Sequence, residues 1–137
     1  MMRRVVQVGL VVALVLDLAY WAIWFTDRDV LASSHRAAYY EFENAFPLAD
    51  LWLGATCGLA LVALRRHRPT ALLWLLCAGS AGVYLCSMDL LYDVEHGIFV
   101  QGGGGAFEAL IVLLTVVFST TALVWSWRHR EELLGGR

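Results

Sequence analysis

The chain has 137 residues, of which 60% are hydrophobic and 16% charged, with a mean hydropathy of +0.65 and a formal net charge of −2. A soluble domain of this size is nearer half apolar, so the composition disfavours soluble enzymes and binding domains. The small net charge hides an uneven distribution, because eight of the ten arginines and ten of the twelve acidic residues lie in different parts of the chain.

Four apolar runs follow one another along the sequence, and each has 19 to 23 residues. A helix of that length crosses a hydrocarbon core of about 30 Å at a rise of 1.5 Å per residue. We therefore predict an all-α integral membrane four-helix bundle that forms a single domain over residues 1–137. The predicted spans cover residues 5–25, 46–64, 70–92 and 106–127.

The arginines predict the orientation of the bundle. Eight of the ten lie in the N-terminal segment, in the loop between spans two and three, or in the C-terminal segment, whereas Arg28 and Arg36 lie in the first outer loop. Positively charged loops remain on the cytoplasmic side of a membrane. Both termini are thus predicted to be cytoplasmic, in a multi-pass protein of the plasma (inner) membrane. Topology explains the arginine run after span two, so we predict no nucleic-acid partner.

The first span carries a carboxylate, Asp17, on the same helical face as Tyr20, Trp21 and Trp24. A carboxylate within the apolar part of a span is costly and seldom faces lipid. Tyr20 and Trp21 are therefore predicted to line a site beside Asp17. Tryptophan is also common at membrane interfaces, and we expect Trp24 to be an interface anchor.

The first outer loop is long for so small a protein, and it ends in the segment Tyr39-Tyr40-Glu41-Phe42-Glu43-Asn44-Ala45-Phe46-Pro47. This mixture of aromatic residues and carboxylates is too apolar for a free loop. It predicts a short interfacial helix that lies across the mouth of the bundle. Pro47 is suited to the first turn of span two, where its missing N–H is tolerated.

Spans two, three and four each carry an acid on a face of small or polar residues. Asp50 shares its face of span two with the small-residue packing motif Gly54-x-x-x-Gly58. Asp89, Asp93 and His96 share a face at the end of span three. The glycine-rich segment 101–105 is predicted to be a flexible connector, and Glu108 begins the polar stripe of span four.

Each span therefore contributes one acid to the outer half of the bundle. We predict four catalytic residues around a polar cavity that opens to the outside: Asp17, Asp50, Asp89 and Glu108. In this hypothesis Asp50 and Asp89 form an acid/base pair, and Asp17 or Glu108 adjusts their protonation. The predicted rim consists of Glu41, Glu43, Asp93, Glu95 and His96. The predicted aromatic lining consists of Tyr20, Trp21, Phe46 and Tyr92.

So many carboxylates in a small cavity need something that balances their charge, because proximity and desolvation both favour the neutral form of a carboxyl group. Three solutions are open: shared protons, a divalent metal, or a cationic ligand held against the aromatic rings. We predict shared protons, with no metal and no cofactor. No two histidines share a helix turn, as they do in many zinc sites.

Two segments carry a resemblance to known proteins: Tyr39-Tyr40-Glu41-Phe42-Glu43-Asn44-Ala45-Phe46-Pro47-Leu48-Ala49-Asp50 and Met88-Asp89-Leu90-Leu91-Tyr92-Asp93-Val94-Glu95-His96-Gly97-Ile98. They resemble segments of an uncharacterised family of small four-span bacterial integral membrane proteins. The resemblance covers the whole chain and implies the four-span fold, but it implies no activity. Membrane sterol isomerases are an analogy of architecture alone, with no shared motif.

Three functions fit these patterns. The first is acid/base chemistry, such as isomerisation, cyclisation or epoxide opening, on a small lipophilic substrate. The predicted partners are membrane lipid and a small lipophilic or cationic molecule. The second is transport of a small molecule coupled to protons or cations, with Asp17 as the coupling acid. The third is a non-catalytic accessory subunit of a larger membrane complex. The sequence also leaves a homodimer open.

Overall fold

The computed structural model describes residues 2–100 and 102–135, and this part of the chain is mainly helical and contains no strand. The all-α class predicted from the sequence is therefore confirmed. The six α-helices are α1 Met2–Asp27, α2 Ala37–Glu43, α3 Pro47–Arg65, α4 Thr70–His96, α5 Gly102–Arg128 and α6 Arg130–Leu134. Two short 3₁₀ helices, Arg28–Val30 and Ile98–Val100, follow α1 and α4.

Four stretches of these helices are long and apolar enough to cross a membrane, as predicted from the four apolar runs. They are Met2–Val30, Ala37–Arg65, Thr70–His96 and Gly104–Arg128. Large apolar side chains also cover much of the outer surface. On α1 alone, Val8 and Leu18 are each 61% exposed. Apolar patches of this extent are unusual on a soluble monomer and suit a surface that contacts lipid chains.

The connection between α4 and α5 is more ordered than the sequence indicated. α4 continues to His96 and ends at Gly97, whose φ of +63° is a left-handed conformation that glycine adopts without strain. The predicted flexible connector 101–105 is wrong for the residues described, because Gly102 begins α5; Gln101 lies outside the described residues. A Cβ at Gly105 would collide with the backbone of Ile98 and Phe99. The glycines there permit close packing.

The helices pack in chain order. α4 packs extensively on both α3 and α5, and α1 packs chiefly on α3. At one end, Arg3 donates a hydrogen bond from Nη2 to the carbonyl of Leu64 at 2.6 Å, and the same atom lies 3.2 Å from Nδ1 of His67. Leu133 of α6 packs there against the core. We call this the arginine end; its described arginines are Arg3, Arg4, Arg65, Arg66, Arg68, Arg128 and Arg130.

The core divides into two parts of different chemistry. The larger cluster is apolar, reaches the arginine end and includes Leu10, Leu64 and Leu75. A second cluster lies at the opposite end and is built on Trp24, Tyr39 and Ile98, with other aromatic residues packed on it. We call this the aromatic end. Trp24 is only 3% exposed, so its predicted role as an interface anchor is wrong.

Small residues set the distances between neighbouring helices, although the predicted motif does so only in part. At Gly54 a Cβ would lie 2.5 Å from Oδ2 of Asp17, so α1 packs closely there, whereas a Cβ at Gly58 would meet nothing within 4 Å. α4 and α5 also approach closely at Gly79, where a Cβ would lie 2.6 Å from Leu123 Cγ and 3.0 Å from the carbonyl of Ser119.

This difference predicts the effect of two matched substitutions. Gly79→Val is expected to destabilise the bundle by about 1–3 kcal/mol, because the added side chain overpacks the α4–α5 contact. Gly58→Val changes the helix propensity in the same way, but its side chain meets no neighbouring atom. It should therefore leave the stability nearly unchanged. Thermal unfolding of both purified variants in detergent measures the difference. Equal melting temperatures would contradict the close approach of α4 and α5.

Candidate functional site

Five carboxyl groups from four helices meet at the aromatic end. They are Glu43 of α2, Asp50 of α3, Asp89 and Asp93 of α4, and Glu108 of α5. Asp89 interacts electrostatically with all four of the others. We call these five residues the carboxylate cluster. Its members were all predicted as site residues, but three of them are buried where the sequence indicated an open cavity.

Glu43 belongs to the buried part of the cluster, so its predicted position at the rim is wrong. It is the last residue of α2, and that short helix lays its carboxyl group against the side of α1. There the hydroxyl of Tyr20 donates a hydrogen bond to Oε2 of Glu43 at 2.8 Å. Tyr20 is thus a direct partner of a carboxylate, in agreement with its place in the predicted lining.

Glu108 is buried in the first turns of α5 and is held by the α1–α2 loop and by α2. Ser33 of the loop donates a hydrogen bond from Oγ to Oε2 of Glu108 at 2.8 Å, and the hydroxyl of Tyr39 of α2 reaches the same oxygen at 3.4 Å. The Oγ of Ser33 also lies 3.2 Å from the carbonyl oxygen of Gly104. The sequence singled out neither Ser33 nor Tyr39 as a site residue, because Ser33 lies in a loop without helical period and the two-turn helix of Tyr39 is too short to display one.

Asp50 and Asp17 lie between α1 and α3. The indole of Trp21 donates a hydrogen bond from Nε1 to Oδ2 of Asp50 at 3.0 Å. Asp17 is half-buried, contacts Gly54, and interacts electrostatically with Asp50. Asp17 therefore joins the carboxylate cluster from deeper in the bundle, through Asp50.

Asp93 is the most deeply buried acid, with 2% of its surface exposed. Its predicted position at the rim is wrong, because the side chain is buried. Its carboxyl group interacts electrostatically with Glu108 and His96, and its Oδ2 is buried without a hydrogen-bond partner among the described residues. Asp89 lies one turn earlier on the same helix and is only half-buried. The two acids of α4 thus differ in their access to the surface.

An aromatic stack flanks the cluster. The ring of Tyr92 is stacked between the rings of Phe42 and His96. Its centroid lies 3.8 Å from that of Phe42 and 4.0 Å from that of His96. Phe46 is buried and meets Phe42 edge to face. Both Phe46 and Tyr92 therefore lie where the lining was predicted. The remaining residues of the predicted rim, Glu41, Glu95 and His96, are exposed.

The loop between α1 and α2 covers the cluster. The Tyr40 hydroxyl donates a hydrogen bond to Oδ1 of Asp29 at 2.7 Å and lies 2.9 Å from Nδ1 of His35. The guanidinium group of Arg28 lies 4.6 Å above the Tyr40 ring. Beneath this network, Trp24 donates from Nε1 to the side chain of Asn44 at 3.1 Å. These contacts fasten the loop to α1 and α2 at the aromatic end.

Four of the described side chains donate hydrogen bonds to the cluster without bringing a charge: the hydroxyl groups of Tyr20, Ser33 and Tyr39 and the indole of Trp21. His96 also interacts electrostatically with Asp93. The ion pairs among the described residues, His35 with Asp29 and Arg130 with Glu131, lie outside the cluster. Within residues 2–100 and 102–135, no three histidine, cysteine or acidic side chains are arranged to hold a metal ion.

A surface groove of 570 Å³ runs between α3 and α4. None of the five carboxyl groups lines it. Asp50 and Asp89 are the two half-buried members of the cluster.

Comparisons with known proteins add no assignment. No family model, no curated protein and no solved structure matches this chain.

The contact between the loop and α5 predicts a local effect. Ser33→Ala removes the hydrogen bond to Glu108 and is expected to destabilise the closed loop by about 1–3 kcal/mol, because a buried acceptor loses its donor. Amide hydrogen exchange should then become faster across residues 28–46. Ser87→Ala is the matched control, since the exposed Ser87 hydroxyl bonds only within its own helix. Unchanged exchange in Ser33→Ala would show that this hydrogen bond does not hold the loop.

Proposed function

We propose that this protein performs acid/base chemistry on a small lipophilic molecule in a membrane, and that the carboxylate cluster is its proton-exchanging site. One observation carries the proposal: five carboxyl groups are gathered at the end of a membrane bundle, and the side chains that bind them are neutral hydrogen-bond donors. Ionisable groups in such a place are functional candidates by default.

Shared protons balance the cluster best. A neutral hydroxyl or indole stabilises a carboxylate by a hydrogen bond but removes none of its charge. Adjacent carboxylates that have left water bind protons to reduce their repulsion, as in paired-carboxylate enzymes. A site that holds protons in this way can both donate and accept them, which is what general acid/base catalysis requires.

The burial pattern supports distinct roles for the acids. Asp50 and Asp89 are half-buried and are proposed to exchange protons with the substrate. Asp17 and the three buried acids Glu43, Asp93 and Glu108 are proposed to adjust how many protons the pair carries. Tyr20, Trp21, Phe46 and Tyr92 supply an apolar, aromatic surrounding that would favour a lipophilic molecule and stabilise a developing positive charge.

Proton-coupled transport is the second candidate, and Asp17 favours it. This acid lies deeper in α1 than the cluster and interacts with Asp50, which in turn interacts with Asp89. A series of carboxyl groups that leads from the interior of a bundle towards one end is an arrangement that proton-coupled carriers use. Such a carrier would move protons without altering its substrate.

Isotope incorporation tests the proposed function. Purified protein in nanodiscs is incubated with a total lipid extract of its host membrane in deuterated, heavy-oxygen water, and mass spectrometry detects lipids that gain either isotope. Isomerisation or cyclisation adds deuterium to carbon, and epoxide opening adds oxygen from water. Asp89→Asn is expected to slow incorporation about a hundredfold or more, because the group that transfers the proton is lost.

Asp27→Asn is the matched control for that experiment. Asp27 lies at the same end of the bundle and is exposed, and its replacement should leave incorporation unchanged. Equal incorporation in the protein and in empty nanodiscs would contradict enzymatic acid/base chemistry. Proton movement driven by a lipophilic compound, without incorporation, would favour the carrier.

We further propose that the arginine end faces the cytoplasm of an inner membrane and that α2 lies at the opposite membrane interface. Arg28 and Arg36 lie near the aromatic end, while the described arginines at the arginine end number seven; Arg137 lies outside the described residues. An excess of arginine on one side of a membrane marks the cytoplasmic side.

Cysteine labelling tests this orientation. In a background without Cys57, Cys77 and Cys86, a membrane-impermeant maleimide added to intact cells is expected to label Ala38→Cys, which is exposed on α2. It should label Glu132→Cys only after the cells are opened. Labelling of Glu132→Cys in intact cells would reverse the proposed orientation.

A further inference from the structure

Exposed arginines at the arginine end carry charge that the described acids do not balance by direct contact. They are Arg4 of α1 and Arg65, Arg66 and Arg68 at the turn between α3 and α4. The sequence around them, residues 2–16 and 51–88, contains no aspartate or glutamate. The ion pair of the described chain at this end joins Arg130 to Glu131 of α6 at 3.7 Å. The other arginines therefore present free guanidinium groups at the surface.

The side chain of Arg3 joins the two segments that carry these arginines. Its Nη2 donates a hydrogen bond to the carbonyl of Leu64 at 2.6 Å and lies 3.2 Å from Nδ1 of His67. The first turn of α1 is thereby held against the end of α3. Topology depends on the charge of each segment by itself and does not require this contact. The contact brings the arginines of both segments to one place.

Arg4 lies at the end of an exposed apolar face of α1. At about 100° per residue, Val8 and Val15 share that face with Arg4, and they are 61% and 57% exposed. A Cβ at Gly9 would lie 3.3 Å from the ring of Phe118, so Gly9 marks the side of α1 that packs on α5. Gly9 and Arg4 are separated by about 140° around the helix. The face of Arg4 therefore points away from α5.

Arg66 has the same position at the end of α3. Its N–H bonds to the carbonyl of Val62 at 3.0 Å, so Arg66 continues the helical register. Val62 and Leu59 are 46% and 43% exposed. On the opposite side of α3, Leu53 would lie 3.8 Å from a Cβ at Gly82 of α4. The face of α3 that ends in Arg66 therefore points away from α4.

These two faces adjoin each other. α1 packs on α3 in the opposite direction, because Arg3 meets Leu64 at one end and Asp17 meets Gly54 farther along. Since α4 and α5 lie on the other side, both exposed faces lie on the same side of the contact between α1 and α3. We call them together the α1–α3 surface. It consists of Arg4, Val8, Val15, Leu59, Val62 and Arg66.

The chemistry of the α1–α3 surface determines what binds to it. Guanidinium groups bind phosphate oxygens through paired hydrogen bonds, and they are more weakly hydrated than ammonium groups. The valine and leucine side chains beside them lie in helices that are long and apolar enough to cross a membrane, so they meet hydrocarbon chains there. A molecule with a phosphate above two hydrocarbon chains is a phospholipid. Clustered arginines at a membrane surface favour lipids with a net negative head group.

We propose that the α1–α3 surface binds an anionic phospholipid of the surrounding membrane. Its phosphate lies at Arg4 and Arg66, and its acyl chains run along the exposed valine and leucine side chains of α1 and α3. Arg3 positions the two arginines through its bond to Leu64. This binding site goes beyond the proposed function and does not depend on it, because the carboxylate cluster takes no part.

Photolabelling tests the site with a defined probe. Phosphatidylglycerol that carries a diazirine in one acyl chain is irradiated with the purified protein in phosphatidylcholine nanodiscs, and mass spectrometry maps the adducts. Adducts are expected within residues 5–15 and 55–62. Unlabelled phosphatidylglycerol should remove them, whereas the same amount of added phosphatidylcholine should not. Salt at about 1 M, which screens charges beyond about 3 Å, should lower the labelling severalfold.

Matched variants test the two arginines. Arg4→Gln combined with Arg66→Gln is expected to lower the competed labelling about tenfold or more, because two charges at the membrane surface are lost. Arg128→Gln combined with Arg130→Gln removes the same charge from the same end, but on α5 and α6. This control should leave labelling of the α1–α3 surface unchanged.

Several outcomes overturn the proposal. One is equal loss of labelling in the two double variants, which would indicate an effect of net charge alone. Another is equal competed labelling by a photoactivatable phosphatidylcholine, and a third is labelling spread evenly over the exposed helices. Displacement of the lipid by free glycerol phosphate would also contradict it, because the acyl chains would then add nothing. The competition and salt measurements use the unaltered protein and decide the question if a variant does not fold.

Discussion

The gathering of five carboxyl groups, three of them buried, is the constraint on which the aromatic end of this protein depends. Each acid comes from a helix that also packs the bundle, so no element can move without changing the balance of charge. The donors available, such as Tyr20, Trp21 and Ser33, supply hydrogen bonds but no positive charge. Under the proposed function, the position of the α1–α2 loop and the protonation of the cluster are therefore linked. The Glu108 oxygen that accepts a hydrogen bond from Ser33 of the loop belongs to a carboxyl group that also binds protons.

The two ends of the bundle meet different demands. Near the arginine end, apolar side chains and glycines bring α4 and α5 close together, and these contacts require no charge and little polarity. A rigid frame of this kind holds the acids of α3, α4 and α5 at fixed separations. At the aromatic end, large rings and hydrogen bonds close the bundle instead. Rings such as Trp24 and Tyr39 exclude water while they still offer polar atoms to neighbouring groups.

The sequence by itself determined the four apolar helices and the presence of an acid in each, because hydropathy and helical period are local properties that a single segment displays. It also predicted the hydrogen-bonding or lining positions of Tyr20, Trp21 and Phe46 from their helical faces. Only the tertiary structure decided that Glu43 and Asp93 are buried, that Trp24 belongs to the core and that the glycines after Gln101 begin a helix. Those outcomes depend on a loop without helical period that folds back across the bundle, and its contact from Ser33 to Glu108 joins residues 75 positions apart. A periodic pattern within one segment cannot show a contact over so long a separation. The position of the loop against the cluster is therefore decided by tertiary packing.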